Sequence, residues 1–299
     1  MSSAPAAADV FLLGTHFCGS TLLGTALNQQ PGVVYAGELG LLPANAARLT
    51  GTEADWRIVC LACGLAGREC ETWTPAFRKE CEAAGPGGVH DLVRERLGAA
   101  VVVDGTKAPS WFRLCLAERP PHRPRPKVVI AARHPYAYLA SAKRYLGQGV
   151  LASANQWRDV YWDALCACTA LGVDFLILRH EDFMTRRAEA VRRLGGFLGF
   201  EPVPEMARED YTGHLCSLGG NPGVGAVGRK AEEAKPDVPG VWAHHHERKG
   251  HGALDERWKR ELEPGEIEEA GYASGLADAA VLLGYNLAAL TREYNESRK

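Results

Sequence analysis

Five short apolar runs, rich in valine and isoleucine and separated by helical patterns, set the strongest limit on what this chain can fold into. They read "DVFLLG" (9–14), "VVY" (33–35), "AVVVD" (100–104), "KVVIAAR" (127–133) and "DFLILRH" (174–180). Each run is continuous rather than alternating, the pattern of strands in a parallel sheet covered on both faces. Helical patterns lie between them at Ser20–Gln29, Ser110–Glu118, Pro135–Leu146, Ala152–Leu171 and Thr185–Leu198. Strand alternating with helix predicts a three-layer α/β fold with a mainly parallel sheet and right-handed crossovers.

Two segments break this rhythm. Residues 44–97 include four cysteines and are expected to form a helical insertion beside the sheet. Residues 203–252 contain "SLGGNPGVGAVGRK" and "HHHERKGHG". An irregular stretch of that length in a compact domain serves function or is disordered, and here it is expected to be a lid over substrate and cofactor. Beyond it, "ALDERWKREL" and "AGYASGLADAAVLLGY" return to helical spacing, so residues 1–299 are expected to form a single domain.

Charge and composition exclude several classes. A net charge of -2 gives no general basic surface, so nucleic acid is not an expected partner. No run reaches the roughly 18 apolar residues of a membrane span. The N-terminal "MSSAPAAAD" lacks the basic start and apolar stretch of a secretory signal, and a cytoplasmic location is expected. Nine cysteines, an odd number, point to thiols or metal ligands rather than a disulfide framework.

The first run opens into "VFLLGTHFCGSTLL", in which Gly14, Gly19 and Thr21 fit the phosphate-loop template GxxxxGK[ST] while Ser20 replaces its lysine. A strand, a glycine turn and a helix start still converge backbone N–H groups and the positive helix end on one anion. The missing lysine would neutralise the β and γ groups of a triphosphate, so a single phosphate suits this loop better. A glycine turn that merely starts a helix is the competing reading. In "KVVIAARHPYAYLASAKRY" a buried strand ends at Arg133, Pro135 begins a helix and Ser141 lies about two turns along it. A guanidinium and a hydroxyl so placed can grip a second phosphate, which suggests a nucleotide phosphorylated at both ends.

These motifs resemble those of the sulfotransferases that use 3′-phosphoadenosine-5′-phosphosulfate (PAPS), in pattern most of all the bacterial carbohydrate and protein-tyrosine enzymes. "FCGSTLL" stands for the family loop [RK]SG[ST]T[LW], and Arg133 with Ser141 keeps the spacing of its 3′-phosphate pair. "QQPGVVYAGELGLLP", "DGTKAPSW", "LILRHEDF", "LGGFLGF", "SLGGNPG", "DERWKREL" and "LLGY" resemble further family segments in order, over roughly residues 8–285. The resemblance implies transfer of a sulfuryl group from PAPS to a small-molecule or glycan hydroxyl, leaving PAP. It places the donor on Thr15, His16, Phe17, Cys18, Gly19, Ser20 and Thr21, with Arg133, Ser141 and the basic pair Arg248 and Lys249 at the 3′-phosphate.

Glu38, after a glycine at the carboxyl edge of the sheet, is the expected base, as the glutamate at this place is in the tyrosine sulfotransferases. Lys107, just past "AVVVD", is expected to stabilise charge on the transferring group, and Ser217 to contact substrate. Phe17 departs from the family, which has a basic residue there; His16, protonated by the adjacent phosphosulfate, is the expected substitute, with a His16 that points away as the alternative. For each of these side chains an ordinary structural or solvated role competes.

Cys60, Cys63, Cys70 and Cys81 can supply four tetrahedral ligands to a structural zinc, with small buried core residues as the alternative. Two other functions compete with sulfuryl transfer. A phosphate-loop kinase would use Asp104 for magnesium but lacks the loop lysine, and a non-catalytic PAPS- or PAP-binding module would follow if Phe17 has abolished turnover.

Overall fold

The computed structural model describes residues 8–42, 44, 45, 47, 60, 63, 69–208, 216–220 and 254–298. Five parallel strands form one sheet: β1 (Val10–Leu13), β2 (Val33–Gly37), β3 (Val101–Lys107), β4 (Lys127–Ala132) and β5 (Phe175–Arg179), in the spatial order β2-β3-β1-β4-β5. The continuous apolar runs become strands because both of their faces are covered. Phe11 and Leu13 of β1 join one core with Val102, Val128 and Ile130, while Val10 and Leu12 join the opposite core with Val101, Val103 and Val129.

Helices α1 (Ser20–Leu27), α2 (Pro75–Leu97), α3 (Pro109–Glu118), α4 (Pro135–Leu146), α5 (Val150–Leu171), α6 (His180–Thr185) and α7 (Arg187–Leu198) follow in chain order. One face of the sheet is covered by α1 and α7 through Leu23, Leu27, Val191 and Leu194. The other is covered by α2 to α5 through Phe77, Val89, Trp111, Tyr138 and Trp157. The C-terminal helices α8 (Trp258–Glu261), α9 (Pro264–Gly271), α10 (Leu276–Leu282) and α11 (Leu287–Ser297) add Trp258, Leu276 and Tyr294 to that second core. The three-layer α/β expectation is met. No helix among the described residues is long and apolar enough to cross a membrane.

Within the segment 44–97, α2 starts at Thr74, whose hydroxyl accepts the Phe77 N–H at 3.2 Å. It kinks at Gly85 before Pro86, which has no N–H to give. Sheet order then decides where chemistry can occur. The chain steps from β1 to β2, returns to place β3 between them, and crosses to β4 on the far side of β1. The carboxyl end of β1 is therefore the switch point of the sheet. Glu38 after β2, Lys107 at the end of β3, the loop at 14–19 after β1 and Arg133 after β4 lie along that edge in this order.

Candidate active site

The loop after β1 is tied to its neighbours at both ends. Gly14 N–H donates to the Lys107 carbonyl at 3.2 Å, and Arg133 Nη1 donates to the Phe17 carbonyl at 2.9 Å. Gly19 closes the loop at φ 90°, a left-handed conformation in which a Cβ would lie 2.5 Å from His180 Nδ1, so only glycine fits. Ser20 begins α1, whose first N–H groups have no carbonyl one turn back and face the loop. Thr15, Ser20 and Thr21 are buried. Cys18 is buried as well. Its thiol is pushed up by burial, against the lowering influence of Lys107, Ser20 and Arg133, so it stays a protonated core group.

Glu38 and Lys107 form an ion pair in which Lys107 Nζ donates to Glu38 Oε1, and the ammonium also donates to the Gly105 carbonyl at 3.2 Å. Both side chains are nearly buried. Lys107 adopts φ 72° and Phe17 φ 61°, and they are the only non-glycine residues with positive φ among those described. Such backbone costs on the order of 1–3 kcal/mol, and it persists where surroundings over-determine it, commonly at functional sites.

His16 has a solvent-exposed edge, yet loss of hydration against the loop and then the neighbouring Lys107 charge hold its imidazole below the ordinary value, with Glu38 opposing. Without a donor His16 is therefore held towards its neutral form, and a phosphosulfate beside it would act in the opposite direction. The Lys107 charge acts on both His16 and Cys18, which lie beside it.

Arg133 is buried, and its peptide is clamped by α5. Trp157 Nε1 donates to the Arg133 carbonyl at 2.9 Å, and Arg133 N–H donates to Tyr161 Oη at 3.2 Å. Tyr161 in turn donates to the Ala131 carbonyl at 2.9 Å and lies 3.3 Å from Thr15 Oγ1, joining the β1 loop to the β4 end. The guanidinium binds Asp255 Oδ2 at 3.1 Å, and Arg257 grips the same carboxylate at 2.7 and 2.8 Å. A cavity of about 210 Å³ opens beside this pair, lined by His134, Arg179, His180, Trp258 and Tyr285. Burial first, then the Arg133 and His180 charges, depress His134 to about 3, and as a neutral ring it caps α4 by accepting the Ala137 N–H at 3.2 Å. Ser141 is buried within α4. Arg248 and Lys249 lie outside the described residues.

Asp104 is committed elsewhere. Its Oδ2 accepts from His90 Nε2 at 3.0 Å and Trp111 Nε1 at 2.7 Å, while Oδ1 accepts the Thr106 N–H at 2.9 Å and the Thr106 hydroxyl. A fully buried carboxylate holding these donors has no free lone pair for magnesium, which removes the residue a kinase would need.

The cysteines assemble differently from expectation. Sulfurs of Cys60, Cys63, Cys70 and Cys216 all lie within 4.8 Å of one another, a donor set that can hold a metal ion. Cys81 is not among them. It sits on α2 in the apolar core, where burial and the flanking Glu80 and Glu82 push its thiol to about 12. Ser217, next to Cys216, is fully buried, and its hydroxyl has no hydrogen-bond partner among the described residues. Sequence reading also missed Asp255, Trp157 and Tyr161. The one signal available was the spacing of Trp157 and Tyr161 one helical turn apart.

No protein-family model and no curated protein matches the sequence. Among solved structures, the sulfotransferase domain from the curacin biosynthetic pathway superposes with a TM-score of 0.59 at 17% identity, covering 95% of this chain and 99% of that one. The fold is that of a sulfotransferase domain. The sulfotransferase domain of the Synechococcus PCC 7002 olefin synthase matches with a TM-score of 0.48 at 16% identity, covering 90% of this chain and 94% of its own. A sulfotransferase from Alicyclobacillus acidocaldarius matches at 0.47 and 14%, covering 95% and 98%.

Proposed function

We propose that this chain, which has the sulfotransferase fold, transfers a sulfuryl group from PAPS to the hydroxyl of a small-molecule or glycan acceptor. The observation that carries the reading is the Glu38–Lys107 pair, standing beside an anion-binding loop at the switch point of the sheet. The residues suit the donor. The β1 loop and the start of α1 offer N–H groups to a phosphosulfate, and Arg133 already holds an anionic stand-in, the Asp255 carboxylate. When bound, PAPS supplies a sulfuryl group whose bond to the phosphate breaks as the acceptor oxygen attacks sulfur.

Glu38 accepts the proton that the hydroxyl loses in that step. Lys107 turns its ammonium from Glu38 towards the oxygens on which negative charge grows, replacing the cation that Phe17 removes from the loop. Arg133, set by Trp157 and Tyr161, holds the 3′-phosphate with Ser141. Ser217, whose hydroxyl has no partner among the described residues, is assigned to the acceptor side. The whole chain, 1–299, acts as one domain, and its cysteines, none of them in a disulfide, suit a reducing, cytoplasmic setting.

Labelled PAPS incubated with a panel of hydroxyl acceptors tests the reading. Transfer should need no magnesium, and Glu38→Gln should keep PAP affinity while turnover falls by about 10²–10⁴, the range for a general base. Wild-type turnover in Glu38→Gln would remove Glu38 from the mechanism. PAP binding without transfer to any acceptor would favour the binding module, for which the uncharged Phe17 speaks.

A further inference from the structure

The four converging cysteines do not belong to the machinery described above. They are Cys60, Cys63 and Cys70 from one stretch of chain, and Cys216 from far downstream. Cys70 Sγ and Cys216 Sγ lie 3.8 Å apart, well outside a disulfide. A tetrahedron of sulfurs around zinc, with Zn–S near 2.3 Å, has edges of about 3.8 Å. Cys60 and Cys63 are buried and Cys70 and Cys216 half-buried, so the cluster is largely shielded from solvent.

The surrounding groups act as an outer shell. Trp73 N–H points at Cys70 Sγ at 3.3 Å, a contact that favours thiolate, and Trp73 Nε1 donates to the Cys216 carbonyl at 2.9 Å. One tryptophan thus holds two of the four cysteines, one by its sulfur and one by its backbone, and "CETW" places it three residues after Cys70. With four protein sulfurs there is no open position, which marks a structural rather than a catalytic site.

We propose that Cys60, Cys63, Cys70 and Cys216 bind one zinc ion, and that this ion fastens the Cys216–Leu218 segment against the residue that carries the Glu38 carboxylate. Leu218 is held between two parts of the chain, bridged to Gly37 in parallel and to Cys60 in antiparallel fashion. Its N–H donates to the Ala36 carbonyl at 2.9 Å, and its carbonyl accepts the Glu38 N–H at 2.8 Å. Gly37, at φ 85°, permits this approach, since a Cβ there would lie 2.1 Å from the Leu218 oxygen. The proposed ion and the Glu38 backbone are therefore separated by one short segment, Cys216–Leu218. Zinc uptake releases the protons of whichever thiols enter the coordination sphere and weakens as pH falls. Glu38 keeps whatever chemical role it has; the ion acts on its position.

Elemental analysis of the purified full chain should find one zinc per molecule. Cobalt(II) added to the stripped protein should give the intense bands of a tetrahedral tetrathiolate, and zinc should abolish them. Cys216→Ser should lose the metal and the cobalt bands, while Cys81→Ser keeps both. Cobalt titration of the stripped wild type settles the ligand type if Cys216→Ser fails to fold. Hydrogen exchange supplies the second arm: removing zinc should speed exchange at the Glu38 amide by about tenfold, the upper range for one net hydrogen bond, and leave Leu12 in β1 protected. Absence of zinc with no uptake, iron in its place, a Cys60–Cys63 or Cys70–Cys216 disulfide in the native protein, or loss of metal in Cys81→Ser would each overturn the site. Unchanged exchange at Glu38 would overturn its coupling to the base. None of these measurements uses PAPS, so their failure leaves the transfer reading standing.

Discussion

Asp255→Asn should make the protein less stable and its grip on PAP tighter. The Asp255 and Arg133 side chains are 8% and 7% exposed, so the pair is screened little by solvent. A phosphate brought to Arg133 must move Asp255 aside or sit next to it. At an effective dielectric near 20, two unit charges about 5 Å apart repel by roughly 3 kcal/mol. Asparagine removes that repulsion and frees Arg257 as well, and if half of the effect is expressed PAP should bind about tenfold tighter. Without ligand the signs reverse. The buried guanidinium loses its counter-charge but keeps the Phe17 carbonyl and an amide oxygen, a loss of about 1–3 kcal/mol, or a few degrees in Tm at roughly 2 °C per kcal/mol. Calorimetry with PAP and thermal unfolding without it read both quantities. Adenosine 5′-phosphosulfate, which lacks the 3′-phosphate, should bind the variant and wild type alike. Weaker PAP binding in Asp255→Asn would refute the reasoning, because the carboxylate would then orient Arg133 rather than occupy a phosphate's place.

Lys107→Ala should lower turnover by about 10²–10³, as loss of a group that stabilises developing charge does, with a smaller change in PAP affinity; equal loss in both would make it a binding residue. The His90–Asp104 pair predicts a pH dependence of stability. Burial lowers the His90 value, but Asp104 and Asp9 outweigh it and Arg94's opposition, so the net shift is upward from 6.5. Its contribution is thus complete below 6.5 and disappears as pH rises through the folded value. Burial pushes Asp104 up, but His90, Thr106 and Trp111 take it below 3.8, so its contribution is lost at acid pH instead. Tm should fall on the alkaline side in wild type and stay flatter in His90→Gln; an unchanged alkaline slope in the variant would contradict this assignment.

The sheet was legible because its strands are buried on both faces. Runs such as "KVVIAA" need no alternation to be recognised, and Pro135 after Arg133 marks the next helix start. The extent of β3 was less clear. It continues past Asp104 to Lys107 because, beyond an irregularity where the Asp104 side chain takes the Thr106 N–H, Lys107 pairs again with Leu13 of β1, a long-range contact that composition does not reveal. Helix α2 was obscured by its own kink: Phe77 with Cys81, and Val89 with Val93, each keep helical spacing, but Gly85 and Pro86 break the phase between them. Glu38 and Lys107 could be placed from the strand ends they follow. Cys216 and Asp255 could not, since each finds its partner across more than a hundred residues, where no local pattern signals contact.

Calorimetry of PAP against AMP, with wild type and Arg133→Ala, tests most directly whether one nucleotide spans the β1 loop and the end of β4. The account predicts that wild type binds PAP more tightly than AMP and that the difference disappears in Arg133→Ala. Equal affinity for the two nucleotides in wild type, or a preference for PAP that survives the loss of Arg133, would contradict it.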